Sequence, residues 1–229
     1  MNPAISIVVP AYNEEKTIAA ILDRIHEAFK SIKLSYEIIV VDDGSTDKTK
    51  MCVHSLDAKV ISNGKNQGKG SALRRGFHHA KGNIIVTIDA DGSHDPADIL
   101  RLVSPIMNGT DVVMGSRFAG GHGRASTRRL HILGNFIINL LIRIITHKAI
   151  TDSQTGFRVL RREIVDQIRI VSQGYQVETE ITVKTLKNGN KVREVPIKSE
   201  KRREGQSSLS PLRDGFKIFK TILVSAISP

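Results

Sequence analysis

Ile84-Ile85-Val86-Thr87-Ile88-Asp89-Ala90-Asp91-Gly92 sets a run of β-branched residues directly before an Asp-x-Asp pair. A short continuous run of this kind reads as a strand buried on both faces, with the turn beginning at its end. Two carboxylates there repel one another and lose hydration unless a cation or an arginine compensates them. Hard oxygen ligands suit Mg²⁺ or Mn²⁺, which complete their shells with substrate phosphates. The same residues could instead form an exposed turn with helix-capping Asp side chains, so the pair must be read with its surroundings.

The pattern repeats along the chain. Ile5 to Val9 is a buried strand that closes with Pro10, and Glu14 to Ile32 carries Ile18, Ile21, Leu22, Ile25 and Phe29 at a helical period. Glu37 to Val41 is a second strand ending in Asp42-Asp43-Gly44-Ser45, after which Asp47 can cap a helix. Val60 and Ile61 belong to a third strand, and Gly70 to Ala80 to a helix. Pro96 to Met107 reads as a helix begun by Asp95 and Pro96, and Asp111 to Met114 as a fifth strand. This alternation predicts an α/β fold with a doubly wound, mostly parallel sheet, whose ligand site lies beyond the carboxyl ends of the strands. Glu14 follows the first strand, Asp42-Asp43 the second, and Asp89 with Asp91 the fourth. All should converge on one edge.

Beyond Arg117 the pattern changes. Gly120, Gly121 and Gly123 make a loop, followed by Arg124, Arg128 and Arg129 and the apolar stretch Leu130 to Thr146. Asp152 to Leu160 is strand-like, Gln176 to Leu186 helical, Lys191 to Ile197 a strand, and Lys198 to Ser210 a polar, basic loop expected to be mobile. Residues 1–210 are therefore read as the catalytic domain, with an amphipathic interface segment at 124–147. Residues 211–229 are read as a C-terminal amphipathic helix able to anchor the chain. Both apolar stretches fall short of the roughly 20 residues needed to span a bilayer, so they are expected to lie in the interface plane.

The 229 residues can bury a sizeable core, and 40% hydrophobic with 25% charged residues reads as globular. The net charge of +11, from 34 Lys+Arg against 23 Asp+Glu, implies an anionic partner such as a polynucleotide, a lipid surface or a phosphorylated substrate. With 4% aromatics and no Trp, stacking platforms for single-stranded nucleic acid are thin, and no nucleic-acid partner is expected. Cys52 as the only cysteine excludes an internal disulfide and a cysteine zinc site and fits a reducing compartment. The opening Met1 to Ser6 lacks a basic region followed by an apolar stretch, so no secretory signal is expected. The eight histidines show no ligand spacing, and no dinucleotide fingerprint opens the first helix.

Three segments at matching strand ends carry a resemblance: Ile7-Val8-Val9-Pro10-Ala11-Tyr12-Asn13-Glu14, Val41-Asp42-Asp43-Gly44-Ser45-Thr46-Asp47 and Asp89-Ala90-Asp91, with Asn66-Gln67-Gly68-Lys69-Gly70 between them. The chain resembles the inverting GT-A enzymes of glycosyltransferase family two. Gly115-Ser116-Arg117, Asp152-Ser153-Gln154-Thr155-Gly156-Phe157-Arg158 and Glu194-Val195-Pro196-Ile197 are similar to the dolichyl- or polyprenyl-phosphate sugar synthases. The resemblance implies that Pro10, Ala11, Tyr12, Glu14 and Asp43 line the nucleoside pocket, with Gly70 and Ala90 also on the donor. It implies that Asp89, Asp91 and Ser93 hold Mg²⁺ or Mn²⁺ against the diphosphate, with Asp91 and Arg117 catalytic. Arg117, with Arg128 and Arg129, would meet the acceptor phosphate, and Arg202 or Arg203 would close over the donor. Mannosyl-phosphate members usually carry Gln where Ser93 stands, and Gly-x-Ser-Lys where this chain has Gly205-Gln206-Ser207-Ser208.

The implied reaction moves a hexose from a nucleotide-sugar, GDP-mannose favoured over UDP-glucose or UDP-GlcNAc, to dolichyl or polyprenyl phosphate. The place is an anionic membrane surface, expected on its cytoplasmic face with the chain peripheral or monotopic. A lipid phosphate is already ionised and needs cations, whereas a sugar hydroxyl needs a carboxylate base. Arg117, Arg124, Arg128 and Arg129 before an apolar helix suit the first. A carbohydrate acceptor would call on Glu178 or Glu180 as base, unless these are solvated helix charges. A basic nucleic-acid-binding module would leave the converging acids unexplained.

Overall fold

The computed structural model describes residues 3–30, 32–54, 56–120, 129–198 and 211–227. Strand β1 (Ile5–Ala11) lies between β2 (Tyr36–Asp42) and β4 (Ile84–Thr87), parallel to both, and β3 (Lys59–Ser62) pairs in parallel with β2. β6 (Arg158–Arg161) inserts antiparallel between β4 and β5 (Val112–Ser116), and β7 (Val192–Pro196) runs parallel to β5. The order is β3-β2-β1-β4-β6-β5-β7. The expected mostly parallel sheet is present, with one reversed strand that the alternation of the first half did not announce.

Helices α1 (Ile18–Phe29), α2 (Thr49–His54), α3 (Lys69–His79) and α4 (Ile99–Met107) connect the first five strands, α4 through a 3-10 turn at Pro96–Asp98. The Asp95 side chain accepts the Ala97 amide at 2.9 Å and Asp47 that of Thr49 at 2.9 Å, so both acids start their helices as expected. Helix α1 starts at Ile18 rather than Glu14. Asn13 turns the chain at φ +56° and the amides of Thr17 and Ile18 fold back on Glu14 O, leaving Glu14 in the turn.

Two apolar layers cover the sheet. Ile5, Ile7 and Val9 of β1 face Ile21, Leu22 and Ile25 of α1 and Leu102 of α4. On the other face Val8, Ile39 and Val41 meet Leu73 and Phe77 of α3, with Ile164 of α6 (Arg162–Gln167) and Ile181 of α7 (Val177–Lys187). Each such side chain contributes about 1.5–3 kcal/mol. Gly76 lets α3 ride close on the sheet, since a Cβ there would stand 2.3 Å from Val8 Cγ1. Cys52 is half-buried on α2 against this core, as expected for a small apolar residue.

A third cluster, Ile142, Val183, Leu186, Ile218 and Ile222, ties α5 (Arg129–Thr146) and α8 (Pro211–Ile227) to α7. α7 is buried continuously from Val177 to Leu186 because the sheet and both of these helices surround it. Helices α5 and α8 turn apolar faces outward: Phe136 is 63% exposed and Phe216 71%. Among the described residues no helix is long and apolar enough to cross a membrane.

An acidic cleft at the strand ends and the arginine beside it

The carboxyl ends of β1, β2 and β4 open onto one cleft of about 380 Å³. Its wall contains Pro10, Ala11, Tyr12, Glu14, Asp43, Asp89, Ala90 and Asp91, so the acids that follow separate strands do converge. The register explains the meeting: Ala11 sits opposite Asp42, and the Ile88 amide bonds Val8 O at 3.2 Å, carrying Asp89 alongside the end of β1. Asn66, Gly68, Lys69, Gly174 and Tyr175 close the far side.

Reciprocal bonds lace the first two turns together. Asn13 N donates to Ser45 Oγ at 3.0 Å, and Thr46 N to Asn13 Oδ1 at 2.8 Å. Glu14 is buried in this lacing, with its amide 2.8 Å from Thr49 Oγ1 and its carboxylate 3.2 Å from the Thr17 hydroxyl. Gly44 takes φ +76° where a Cβ would stand 2.5 Å from the Lys65 backbone, so glycine is required. Asp42 accepts from Ser45 N and Ser62 Oγ, both at 3.1 Å. Asp43 accepts from Asn63 Nδ2 at 2.6 Å, Gln67 N at 3.0 Å and Gly68 N at 2.7 Å. The resemblance implied that Asp43 lines the nucleoside pocket. In the structure both acids orient loops, and Asp43 lines the cleft as well.

At the floor, Lys69 Nζ lies 2.6 Å from Asp89 Oδ1 and 2.6 Å from Glu178 Oε1. Burial opposes the Lys69 charge, but Asp89 and Glu178 outweigh it and raise its pKa. Burial likewise pushes Asp89 up, yet Lys69 and then His94 and Arg117 hold it below the ordinary carboxylate value. Glu178 is raised, burial being only partly offset by Lys69. The His94 ring packs against Phe157 at 5.5 Å, and burial lowers its pKa despite Asp89.

Asp91 is half-buried on the cleft and accepts the Ser93 amide at 3.0 Å. Among the described residues no three His, Cys, Asp or Glu side chains gather as a metal-holding group. The protein therefore offers a cation one face of carboxylate oxygen, which fits Mg²⁺ or Mn²⁺ completed by diphosphate and water, and does not fit a cage built of protein alone.

Arg117 stands beyond β5. Its Nε lies 2.7 Å from Asp152 Oδ2 and its Nη2 2.7 Å from Oδ1, a two-pronged pair. Burial opposes its charge, but Asp152 raises its pKa, with Asp89 and Glu178 adding to the field. Asp152 is fixed in turn by Glu194, whose Oε1 accepts the Asp152 and Thr151 amides at 2.8 and 2.9 Å. The stretch read as a strand from Asp152 becomes one only at Arg158, because these bonds hold residues 152–157 as a loop across the sheet end. Arg158 is 2% exposed and donates to Thr155 O, Thr182 Oγ1 and Ser153 O at 2.7–2.9 Å, all neutral acceptors. Burial accordingly lowers its pKa. Next to Arg117, the Phe118 ring opens a groove of about 330 Å³ along α5, lined by Ile132, Phe136, Leu140 and Arg143.

Gly70 does not line the cleft: it lies under residues 172–173, and its amide donates to Gln173 O at 2.7 Å. Ser93 stays beside Asp91, outside the cleft wall. Arg124, Arg128, Arg202 and Arg203 lie outside the described residues, and so does the side chain of Arg129. Glu178 and Glu180 are 3% and 0% exposed, so they are not solvated helix charges. Glu180 accepts the Val171 and Ser172 amides at 2.9 and 2.8 Å, so its carboxylate is taken up within the fold, while Glu178 Oε1 lies 2.6 Å from Lys69 Nζ at the cleft floor. Sequence reasoning gave no role to Lys69, Asp152, Arg158 or Glu194. Their signal was present in the charges set within the Gly68-Lys69-Gly70, Asp152–Arg158 and Glu194–Ile197 segments.

The model of the family described as Glycosyl transferase family 2 matches residues 6–169. The dolichol-phosphate mannosyltransferase of Pyrococcus furiosus is 35% identical over 213 residues, which cover 90% of this chain and 59% of that protein. The polyprenol monophosphomannose synthase of Mycolicibacterium smegmatis is 32% identical over 89% of this chain and 80% of its own length. Among solved structures, glucosyl-3-phosphoglycerate synthase from Mycobacterium tuberculosis, in complex with Mn²⁺, UDP and phosphoglyceric acid, superposes with a TM-score of 0.79 at 25% identity. That match covers 99% of this chain and 80% of the other. With its α/β GT-A-like sheet and the acidic cleft at the strand ends, the chain belongs to glycosyl transferase family 2 and is a glycosyltransferase.

Proposed function

We propose that the chain transfers a hexose with inversion from a nucleotide-sugar, GDP-mannose favoured, to dolichyl or polyprenyl phosphate at the cytoplasmic face of a membrane. The observation that carries this reading is the position of Arg117. Its field reaches Asp89 in the acidic cleft on one side, and its neighbour Phe118 opens an apolar groove on the other. A phosphate held at Arg117 would place an ionised oxygen toward the donor and an isoprenoid tail in the groove. The relatives named for dolichol- and polyprenol-linked mannose support this acceptor class.

In this mechanism the acceptor phosphate oxygen bonds to the anomeric carbon as the bond from that carbon to the nucleoside diphosphate breaks. The electron pair leaves with the diphosphate, and no proton has to be removed. Arg117, held in orientation by Asp152, positions the attacking phosphate. Asp89, Asp91 and Ser93 are the residues that would hold Mg²⁺ or Mn²⁺, which when bound supplies positive charge at the departing diphosphate. Pro10, Ala11, Tyr12, Glu14 and Asp43 hold the nucleoside. The catalytic domain spans residues 1–210, and the outward apolar faces of α5 and α8 rest in the interface of an anionic membrane.

The second reading gives the same cleft to UDP-glucose or UDP-GlcNAc, supported by the UDP in the Mycobacterium tuberculosis structure. Calorimetric binding of GDP, GDP-mannose, UDP and UDP-sugars, each with Mn²⁺ and with EDTA, separates the donors. Metal-dependent binding of one nucleotide class supports the reading and names the donor; binding of none removes it.

A further inference from the structure

Residues 170–175 form a strap between α6 and α7 that the catalytic reading leaves without a role. Its far end, Gly174 and Tyr175, is part of the cleft wall. Its middle lies against the start of α3: Gln173 O accepts the amides of Gly70 and Ser71 at 2.7 and 3.2 Å, and Ser172 O accepts Arg74 Nη1 at 2.6 Å. The two backbones touch, since a Cβ on Gly70 would stand 2.2 Å from Ser172 O and one on Gly68 2.5 Å from Gln173 O. Any displacement of the strap therefore passes into Gly68 and Lys69, which line the same cleft.

One side chain fixes this strap from behind. The Glu180 carboxylate, 0% exposed, accepts Val171 N through Oε1 and Ser172 N through Oε2. Lys184 Nζ lies 2.9 Å from Glu180 Oε1 and also donates to Arg169 O. Burial pushes the Glu180 carboxyl up, but the hydrogen bonds of Ser172 and Val171 and the contact with Lys184 hold it below its ordinary value. Behind the strap, toward α8, lies a cavity of about 500 Å³ lined by Val171, Gln173, Lys220 and Val224. Without its anchor the strap has room to withdraw from α3.

We infer that Glu180 is a positioning residue for the nucleotide-sugar cleft: it holds residues 171–173 against the start of α3 and so sets the wall that Gly68, Lys69, Gly174 and Tyr175 present to the donor. The inference rests on the cleft being the donor site. Glu180→Gln keeps the shape but puts an N–H where an acceptor is needed, and Arg74→Leu, at a half-buried position, removes the Ser172 O bond from the α3 side while the Gln173 O bonds to Gly70 and Ser71 remain.

Calorimetry with GDP and UDP in Mn²⁺ on the full chain is the test. Glu180→Gln should weaken the bound nucleotide about ten-fold and Arg74→Leu about three-fold. Hydrogen exchange at Val171 and Ser172 should quicken, and KM for polyprenyl phosphate should stay unchanged. If Glu180→Gln does not fold, Arg74→Leu decides alone. Variants that bind nucleotide as the wild type does overturn the positioning role, and so does an equal loss in donor affinity and acceptor KM. A wild-type protein that binds neither nucleotide overturns the donor-cleft reading itself, and the positioning role with it.

Discussion

Asp152 grips Arg117 by both prongs of the guanidinium and also accepts the Arg117 backbone amide at 3.1 Å, so side chain and main chain of the arginine are set by one carboxylate. Asp152 is 0% exposed and Arg117 only partly so, which makes the pair desolvated on one side. Glu194 on β7 fixes the Asp152 backbone, so the direction of the arginine is inherited from the sheet. A lysine at 117 would keep the charge and lose the fork.

Asp152→Asn removes the charge of the partner and one of the two acceptor oxygens of the fork, leaving only Asp89 and Glu178 to offset the Arg117 charge. The expected destabilisation is about 3 kcal/mol or more, because breaking a buried pair costs more than never having made it. KM for polyprenyl phosphate should rise about ten-fold through loss of the two-pronged hold, while calorimetric affinity for nucleotide with Mn²⁺ stays as in the wild type. Donor and acceptor parameters moving together would argue against Arg117 as an acceptor group.

Gly156 tests the other side of the cleft. A Cβ there would stand 2.3 Å from Asp89 Oδ2, and Thr87 Oγ1 pins the Gly156 carbonyl at 2.7 Å, so the carboxylate has to move. Gly156→Ala should cost about 1–3 kcal/mol of stability as overpacking. Nucleotide binding in Mn²⁺ should weaken about ten-fold or more, because under the proposed mechanism the displaced oxygen faces the cation and the diphosphate. Binding in EDTA should change far less, and equal losses in both buffers would sink the assignment of Asp89 to the metal.

The first half of the fold was legible because its strands are uninterrupted apolar runs and each acidic turn follows one directly, as at Val41-Asp42 and Ile88-Asp89. Strand direction is a tertiary property, so the reversal of β6 could not be read from Arg158 to Arg161. The charges on α7 misled for a related reason. Glu178, Glu180 and Lys184 look like a solvated helix face by composition, yet the sheet, α5 and α8 bury them all; Glu180 and Lys184 pair with one another and with the segment just before the helix, and Glu178 with a distant residue. Glu178 meets a lysine more than a hundred residues upstream in sequence, a pairing no local pattern encodes.

The outward faces of α5 and α8 make a separable prediction. Phe136→Glu or Phe216→Glu should leave nucleotide binding intact, since neither residue lines the cleft. Partition onto anionic vesicles should fall about ten-fold or more per substitution, the value of one buried aromatic side chain. Sedimentation with and without vesicles measures it, and unchanged pelleting of both variants would remove these faces from the membrane contact.

The shared ammonium of Lys69 gives a prediction whose sign reverses. In the wild type Asp89 is depressed, so its contribution is present above its unfolded pKa of about 3.9 and is lost only as pH falls through the lower folded value. Lys69 is raised, so its contribution is complete below its unfolded pKa of about 10.4. Neither group therefore gives the wild type a slope between pH 7 and 5. Lys69→Met leaves Asp89 and Glu178 without that cation; burial then raises Asp89 above its unfolded value and drives Glu178, already raised in the wild type, further up. A raised acid stabilises below its unfolded pKa and loses that stability as pH climbs through the folded one. The variant should be about 3–5 kcal/mol less stable at pH 7, and its deficit in Tm against the wild type should shrink as pH is lowered to 5, in EDTA throughout. A deficit that widens on acidification would mean that Lys69 does not favour the charged forms of the two carboxylates.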